Sequence, residues 1–287
     1  MGLLNGKVAF ITGAGRGQGR AHAVTLAKEG ADIVAVDVDG DIDTADFPMA
    51  RESDLKETAA QVGEVGRRII WKVADVRSQD ALDAVVKEGI DTFGKVDIAV
   101  ANAGIYAHAS LLTMTDRQWD EMIDVNLTGV WRTMRAVIPH MVERREGSIV
   151  LTSSTNGLVG NANAAHYTAA KHGVLGLMRS AALELGAYRI RVNAVCPGLV
   201  DSAMTNWQGM YDRMAGHEGG TREDWVRASQ HSTIIAKQGG MPPEQIAKAA
   251  AWLAADTNFT MTGHALVVDA GTTEMPGFNP NPNPMGL

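Results

Sequence analysis
The chain alternates between two kinds of segment, and that alternation limits its fold more than any other feature. Seven short apolar runs, at residues 8–12, 33–37, 69–73, 98–101, 148–152, 191–195 and 265–268, carry strand character. Between them, residues 20–28, 79–92, 115–140, 165–185 and 243–254 place apolar side chains at helical spacing. Most of the short runs are apolar throughout, as strands covered on both faces must be, and the helices between them supply the cover. The expected fold class is α/β, a doubly wound parallel sheet of seven strands in three α/β/α layers.

Two segments break the rhythm. Residues 38–66 are longer than one βα connection needs and include the acidic stretch Asp39, Gly40, Asp41, Ile42, Asp43, which predicts an insertion ending in a helix that begins near Ser53. Residues 201–241 are polar and contain glycine, yet include Trp207, Met210, Tyr211, Met214 and Trp225, the composition of a lid over an apolar substrate site, the plainer reading being that Trp207 and Trp225 only seal the lid onto the core. Length alone does not choose between one domain and two among 287 residues. The expectation is a single domain over residues 1–276 with a Pro- and Asn-rich extended tail at 277–287.

The first strand runs into Thr12, Gly13, Ala14, Gly15, Arg16, Gly17, Gln18, Gly19 and Arg20, then opens a helix. In a Rossmann-type sheet this is where backbone N–H groups and the helix dipole meet a pyrophosphate. Glycine is needed where the turn takes a positive φ or where backbone approaches ligand, and a tight structural turn is the rival reading. Asp37 closes the second strand, where a carboxylate accepts hydrogen bonds from ribose hydroxyls and repels a 2′-phosphate, favouring NAD over NADP. Arg16 pulls the other way, since a guanidinium pairs with phosphate. The closer carboxylate is given more weight.

Tyr167 and Lys171 stand at i and i+4 on a helix, which puts phenol and ammonium on one face. A nearby cation favours phenolate, so the pair is a candidate general acid/base. Ser154 follows the strand at 148–152, at the carboxyl edge where open α/β sheets place their ligands, and can hydrogen-bond a substrate oxygen or simply cap a turn.

Together these residues resemble the short-chain dehydrogenase/reductase family from about Lys7 to Gly271. The set is Thr12, Gly13, Gly17 and Gly19; Asp75 and Val76; Asn102, Ala103 and Gly104; Asn126; Ser154; Tyr167 and Lys171; Pro197 and Gly198. The resemblance implies that Tyr167 is the catalytic acid/base, that Ser154 orients the substrate oxygen, and that Lys171 bonds the nicotinamide ribose and lowers the phenol's pKa. It implies that Asn126, within the long helix from Thr115, holds a water linking Lys171 to solvent. Asp75 and Val76 would contact adenine, Asn102 to Gly104 would floor the cofactor site, and Pro197, Gly198 and Val200 would reach the carboxamide. Gln18 belongs with the phosphate loop. Two departures are mild: Ala101 replaces an asparagine, and Ser202 stands for the threonine expected after Pro-Gly.

The insertion after Asp37, with Asp41, Ile42, Asp43, Asp54, Leu55 and Thr58, and the run from Ala14 to His22 resemble the carveol-dehydrogenase-like, mycofactocin-associated branch. That implies a hydrophobic secondary alcohol, terpenoid substrates included, interconverted with its ketone, and NAD held so tightly that a separate redox carrier reoxidises it. A plain surface loop with freely exchanging NAD(P) is the alternative, and a non-catalytic nucleotide-binding scaffold is a third reading that the intact tetrad opposes.

Composition sets the remaining expectations. A net charge of −7 argues against nucleic acid and anionic membranes as partners. Cys196, the single cysteine, cannot form an internal disulfide and is expected to be a buried inert thiol. The first eleven residues lack a signal-peptide pattern and no apolar run reaches spanning length, so a cytoplasmic protein is expected. His108, His166 and His172 match no zinc spacing, which argues against a metal-dependent alcohol dehydrogenase; surface or pocket-lining roles are expected for them. A homotetramer through the helices that begin at Thr115 and Tyr167 is the expected assembly.

Overall fold
The computed structural model describes residues 2–235, 237–275 and 277. Its strands are β1 (Val8–Thr12), β2 (Asp32–Asp37), β3 (Ile69–Val73), β4 (Ile98–Ala101), β5 (Gly147–Thr152), β6 (Ile190–Pro197) and β7 (Ala265–Val268). They pair in the order β3-β2-β1-β4-β5-β6-β7, every pair parallel, so the sheet reverses its winding between β1 and β4. At that reversal the connections leave in opposite directions and open a crevice beyond the carboxyl ends of the strands. All residues of β1, β2, β4 and β6 are buried, whereas β3 and β7 at the two edges are partly exposed.

Alternate strand residues feed two cores. Phe10 and Val34 face the layer of α3 (Gln79–Phe93), α5 (Gly129–Arg144) and α6 (Ala165–Leu185), meeting Leu82, Met134 and Val174. Ile11 and Ile33 face α1 (Gly17–Lys28), α2 (Glu52–Glu64) and α9 (Pro243–Ala254), meeting Leu26, Leu55 and Leu253.

The stretch at 115–140, expected as one helix, is three pieces. After α4 (Asp116–Ile123) comes a π-helical turn, Asp124–Thr128, and then α5. Within that turn the Gly129 N–H donates to the Asp124 carbonyl, five residues back. The side chain of Asn126 compensates, its Nδ2 donating to the Met122 carbonyl at 3.1 Å and to the Ile105 carbonyl at 3.1 Å.

The insertion ends in α2, one residue from its expected start. The Arg51 N–H is capped by Asp54 Oδ2 at 2.8 Å. Residues 201–241 contain α7 (Gln208–Ala215) and α8 (Arg222–Gln230). Trp225 is only 1% exposed, stacked under Arg222 at 4.2 Å and against Gly240, as fits the plainer role of sealing this segment. Among the described residues no helix is long and apolar enough to cross a membrane. The expected extended tail, apart from Gly277, lies outside the described residues.

Candidate active site
The crevice at the sheet reversal holds two adjoining clefts. The first, about 110 Å³, runs over the glycine-rich turn and is lined by Gly13, Arg16, Gly17, Gln18, Gly19, Asp37, Asp75, Val76, Asn102, Ala103, Gly104 and Ser202 from the expected set. The turn needs glycine for two separate reasons. Gly13 has φ +67°, and a Cβ there would lie 2.8 Å from Ala103 Cα. A Cβ on Gly19 would lie 1.8 Å from the Gly13 carbonyl oxygen, so α1 could not start where it does.

Asp37 is buried at the end of β2. Its Oδ2 accepts from the Gly15 N–H and its Oδ1 from the Val38 N–H, both at 2.8 Å. Burial raises its pKa, and those two hydrogen bonds oppose the rise. A carboxylate has lone pairs beyond these two bonds, so it remains able to accept from a ribose. Arg16 does not reach freely into the cleft. Its guanidinium lies 5.8 Å over the Phe47 ring and donates to the Pro48 carbonyl, both in the insertion. Asp75 is held by Arg77 through the backbone N–H at 2.8 Å and the guanidinium at 2.7 and 2.9 Å.

Helix α2 grips the same turn. The buried Thr58 hydroxyl donates to the Ala14 carbonyl at 2.9 Å, and Arg20 bridges the Gly15 carbonyl, at 2.6 and 3.0 Å, to Thr58 and the Asp54 carbonyl. Asp54 and Thr58, singled out as part of a sequence likeness, thus have a structural task.

The second cleft, about 460 Å³, contains Asn126, Ser154, Tyr167, Lys171, Pro197, Gly198 and Val200, and shares Gln18, Asn102, Gly104 and Ser202 with the first. The expected site residues therefore all line one cleft or the other. Tyr167 and Lys171 come from one turn of α6, with Lys171 Nζ 5.5 Å from the Tyr167 ring centre. Ser154 hydrogen-bonds the Tyr167 phenol and accepts the Asn156 N–H at 3.1 Å, the second contact being the turn-capping role. Asn126 Oδ1 and Lys171 Nζ converge on Gly104, where a Cβ would lie 2.7 Å from the first and 3.7 Å from the second.

The electrostatics differ from one expectation. Lys171 is buried, donates to the Thr152 carbonyl at 2.9 Å, and is pulled down to about 8 by desolvation. Tyr167 is pushed above the ordinary phenol value by burial, while the hydrogen bond to Ser154 works against the rise. In the protein alone, desolvation of the phenolate outweighs any lowering by Lys171.

These residues fit a dinucleotide. The missing Cβ atoms at Gly13 and Gly19 leave backbone bare beneath the first cleft. Gln18 Oε1 and Asn126 Oδ1, both in cleft-lining residues, are buried without a hydrogen-bond partner among the described residues. The second cleft also receives Leu199, Met204, Met210 and Met214 from the region around 199–241. Trp207 and Trp225 do not line it; the Trp207 indole donates to the Met204 carbonyl at 3.1 Å, holding that methionine in place.

Sequence reasoning missed Tyr106 and gave Thr12 no role of its own. Thr12 Oγ1 accepts the Asn102 and Ala103 N–H groups at 3.1 and 3.2 Å, locking the β4 loop to the glycine turn, and Tyr106 packs edge-on against Tyr167 at 5.0 Å. Thr12 was visible only as a member of a motif, and no local pattern marks Tyr106. His108 lines the second cleft and His172 is exposed, as expected, whereas His166 is fully buried instead. Cys196 is buried, its thiol pushed up to about 11. The described residues contain no group of three or more His, Cys, Asp or Glu that could hold a metal ion.

Comparison with known proteins agrees with this geometry. The short chain dehydrogenase profile matches residues 7–210. A (−)-trans-carveol dehydrogenase of Rhodococcus erythropolis is 44% identical over 95% of this chain and 99% of that protein. The solved structure of carveol dehydrogenase from Mycobacterium avium in complex with NAD superposes with a TM-score of 0.93 at 43% identity, covering 96% of this chain and 100% of that one. A short chain dehydrogenase from Mycobacterium paratuberculosis bound to NAD gives a TM-score of 0.86 at 40% identity, with 96% and 100% coverage. With its sheet reversal, glycine turn and Tyr167–Lys171 pair in place, the chain belongs to the short-chain dehydrogenase/reductase family of oxidoreductases.

Proposed function
We propose that this chain interconverts a hydrophobic secondary alcohol, carveol-like in shape, and its ketone with NAD(H). The observation that carries the reading is the convergence of Ser154, Tyr167 and Lys171 where the dinucleotide-shaped cleft meets a methionine-lined one. The NAD complexes of the two similar structures support the choice of cofactor. So does Asp37, a buried carboxylate at the ribose end of the first cleft that disfavours a 2′-phosphate.

Bound nicotinamide supplies the acceptor for the hydride. The chain supplies orientation and proton handling. In oxidation, Ser154 and Tyr167 hold the alcohol oxygen, and the Tyr167 oxygen takes the hydroxyl proton as the carbon–hydrogen bond breaks. Lys171 offers positive charge to the phenolate side of that exchange. Asn126 and Gly104 border the ammonium, and Asn126 Oδ1 is the group available to hold a water between Lys171 and solvent. Reduction runs the same steps backwards. Leu199, Met204, Met210 and Met214 exclude water and favour an apolar skeleton, with residues 201–241 as the lid.

The insertion suits a cofactor that leaves slowly. Phe47, Met49 and Ala50 line the first cleft, and α2 is hydrogen-bonded to the glycine turn. We therefore favour tightly held NAD, reoxidised in place by a separate redox carrier, in a cytoplasmic homotetramer. Denaturing the purified protein and measuring released nucleotide, while assaying a cyclic secondary alcohol with added NAD, tests this. One NAD per chain with no response to added NAD is expected. An empty protein that turns over on added NAD would leave an ordinary exchanging dehydrogenase.

A further inference from the structure
The insertion touches more than the dinucleotide cleft. Asp46 lies beside Phe47, which lines that cleft, yet Asp46 itself reaches the loop that walls the substrate side. It holds that loop at two points. The Asp46 N–H donates to the Tyr106 carbonyl at 3.3 Å, and the Asp46 Oδ2 accepts the His108 N–H at 2.7 Å. The same carboxylate oxygen is 3.5 Å from His108 Nδ1, an electrostatic contact longer than a good hydrogen bond.

From there a short series of contacts leads to the reacting group. His108 Nε2 and the Tyr106 hydroxyl pair at 2.8 Å, with the two rings edge-on at 4.8 Å. The Tyr106 ring then meets Tyr167 edge-on, centres 5.0 Å apart and planes at 85°. One residue beyond His108, the Ala109 N–H donates to the Asn163 carbonyl at 2.9 Å, just before α6 begins with Tyr167 in its first turn. The segment from Tyr106 to Ala109 is thus clamped between the insertion and the start of the helix that carries the acid/base.

We propose that Asp46, His108 and Tyr106 form a positioning relay through which the cofactor-side insertion sets the orientation of the Tyr167 ring. The proposal rests on the reading of Tyr167 as the acid/base. Edge-on aromatic pairs have a preferred geometry, and a phenol hydroxyl tied to a clamped histidine cannot let its ring roll. A small rotation of Tyr167 would move its oxygen away from Ser154, and reaction rates fall steeply with such misplacement. None of the three residues needs to touch substrate for this to act.

The test uses the full-length, NAD-loaded protein in four forms: Asp46→Ala, Asp46→Asn, Tyr106→Phe, and Asp46→Ala with Tyr106→Phe. Asparagine keeps an oxygen for the His108 N–H and serves as the conservative rescue. Two readouts are taken. The first is kcat and KM for a secondary alcohol; the second is the NMR signal of ring-labelled tyrosine, where only four tyrosines occur and a Tyr167→Phe sample assigns the wanted one. The expectation is a loss in kcat of about tenfold for Asp46→Ala and for Tyr106→Phe, with KM nearly unchanged, on the scale of misplacing a reacting group. Asp46→Asn should stay near wild type, and the double variant should be no worse than Tyr106→Phe, because the two act in series. The Tyr167 ring signal should shift or broaden in Asp46→Ala and not in Asp46→Asn. Unchanged Tyr167 signals in Asp46→Ala, or losses that add in the double variant, would overturn the relay. A wild-type protein without alcohol turnover would instead count against the proposed activity, and the ring signal would still judge the relay.

Discussion
Burial pushes the Tyr167 phenol up and draws the Lys171 ammonium down to about 8, so at neutral pH the protein alone favours a protonated phenol beside a lysine not far from its midpoint. Both shifts have one cause, the removal of charge from water. The lysine's shift has a sign that can be checked. Its folded value lies below the ordinary 10.5, so between about 8 and 10.5 the unfolded chain binds more protons and stability from this group rises with pH. Urea unfolding across that window should show a gain in wild type that is absent from Lys171→Met. The same substitution removes the cation nearest the phenolate, so the acidic limb of alcohol oxidation, where the Tyr167 base becomes protonated, should move to higher pH. Tyr167→Phe should lower kcat by about 10² to 10⁴, the usual scale of a lost general acid/base, with far-ultraviolet circular dichroism unchanged. Asp37→Ala removes the buried carboxylate that lines the first cleft and that we propose selects NAD. The preference for NAD over NADP should fall by about tenfold or more, about 1.4 kcal/mol, read from the two dissociation constants.

Among the elements, the π turn at Asp124–Thr128 is the one that sequence periodicity did not reveal. Such a turn displaces the apolar stripe by one position, and a stretch offering Met122, Val125, Val130, Met134 and Val137 tolerates that displacement without breaking its pattern. Asn126 looked like an ordinary helical residue that only a family likeness made notable, yet its side chain closes the gap in the backbone ladder. Asn126→Ala leaves the Met122 and Ile105 carbonyls without this donor and should destabilise the fold by about 1–3 kcal/mol, measured by urea denaturation, while also lowering kcat. The strands were far more legible. Continuous apolar runs such as Val8–Thr12 have no other use in a domain of this kind, and only their ends shifted, with β6 extending to Pro197. The site was legible where chemistry demands a residue type, at Gly13, Asp37 or the Tyr167–Lys171 pair. It was hidden where tertiary contact alone decides, as at Tyr106 and Asp46, because nothing local distinguishes those residues from surface loop.

At the scale of the whole molecule, one sheet serves both halves of the reaction. The reversal between β1 and β4 opens the crevice; the glycine turn after β1 and Asp37 at the end of β2 line one cleft, and residues following β5 and β6 line the other. Large apolar side chains are exposed on the helices expected to assemble, Trp119 on α4, Trp131 on α5 and Leu183 on α6, and also at Trp252 and Phe259. Light scattering should report a tetramer, and Trp131→Glu should lower the mass. The most direct test of the account follows absorbance of reduced nicotinamide after rapid mixing of the NAD-loaded protein with a cyclic secondary alcohol, in wild type and Tyr167→Phe. The account predicts one fast turnover per bound NAD in wild type and none on that timescale in the variant. Equal rates in the two proteins would contradict it.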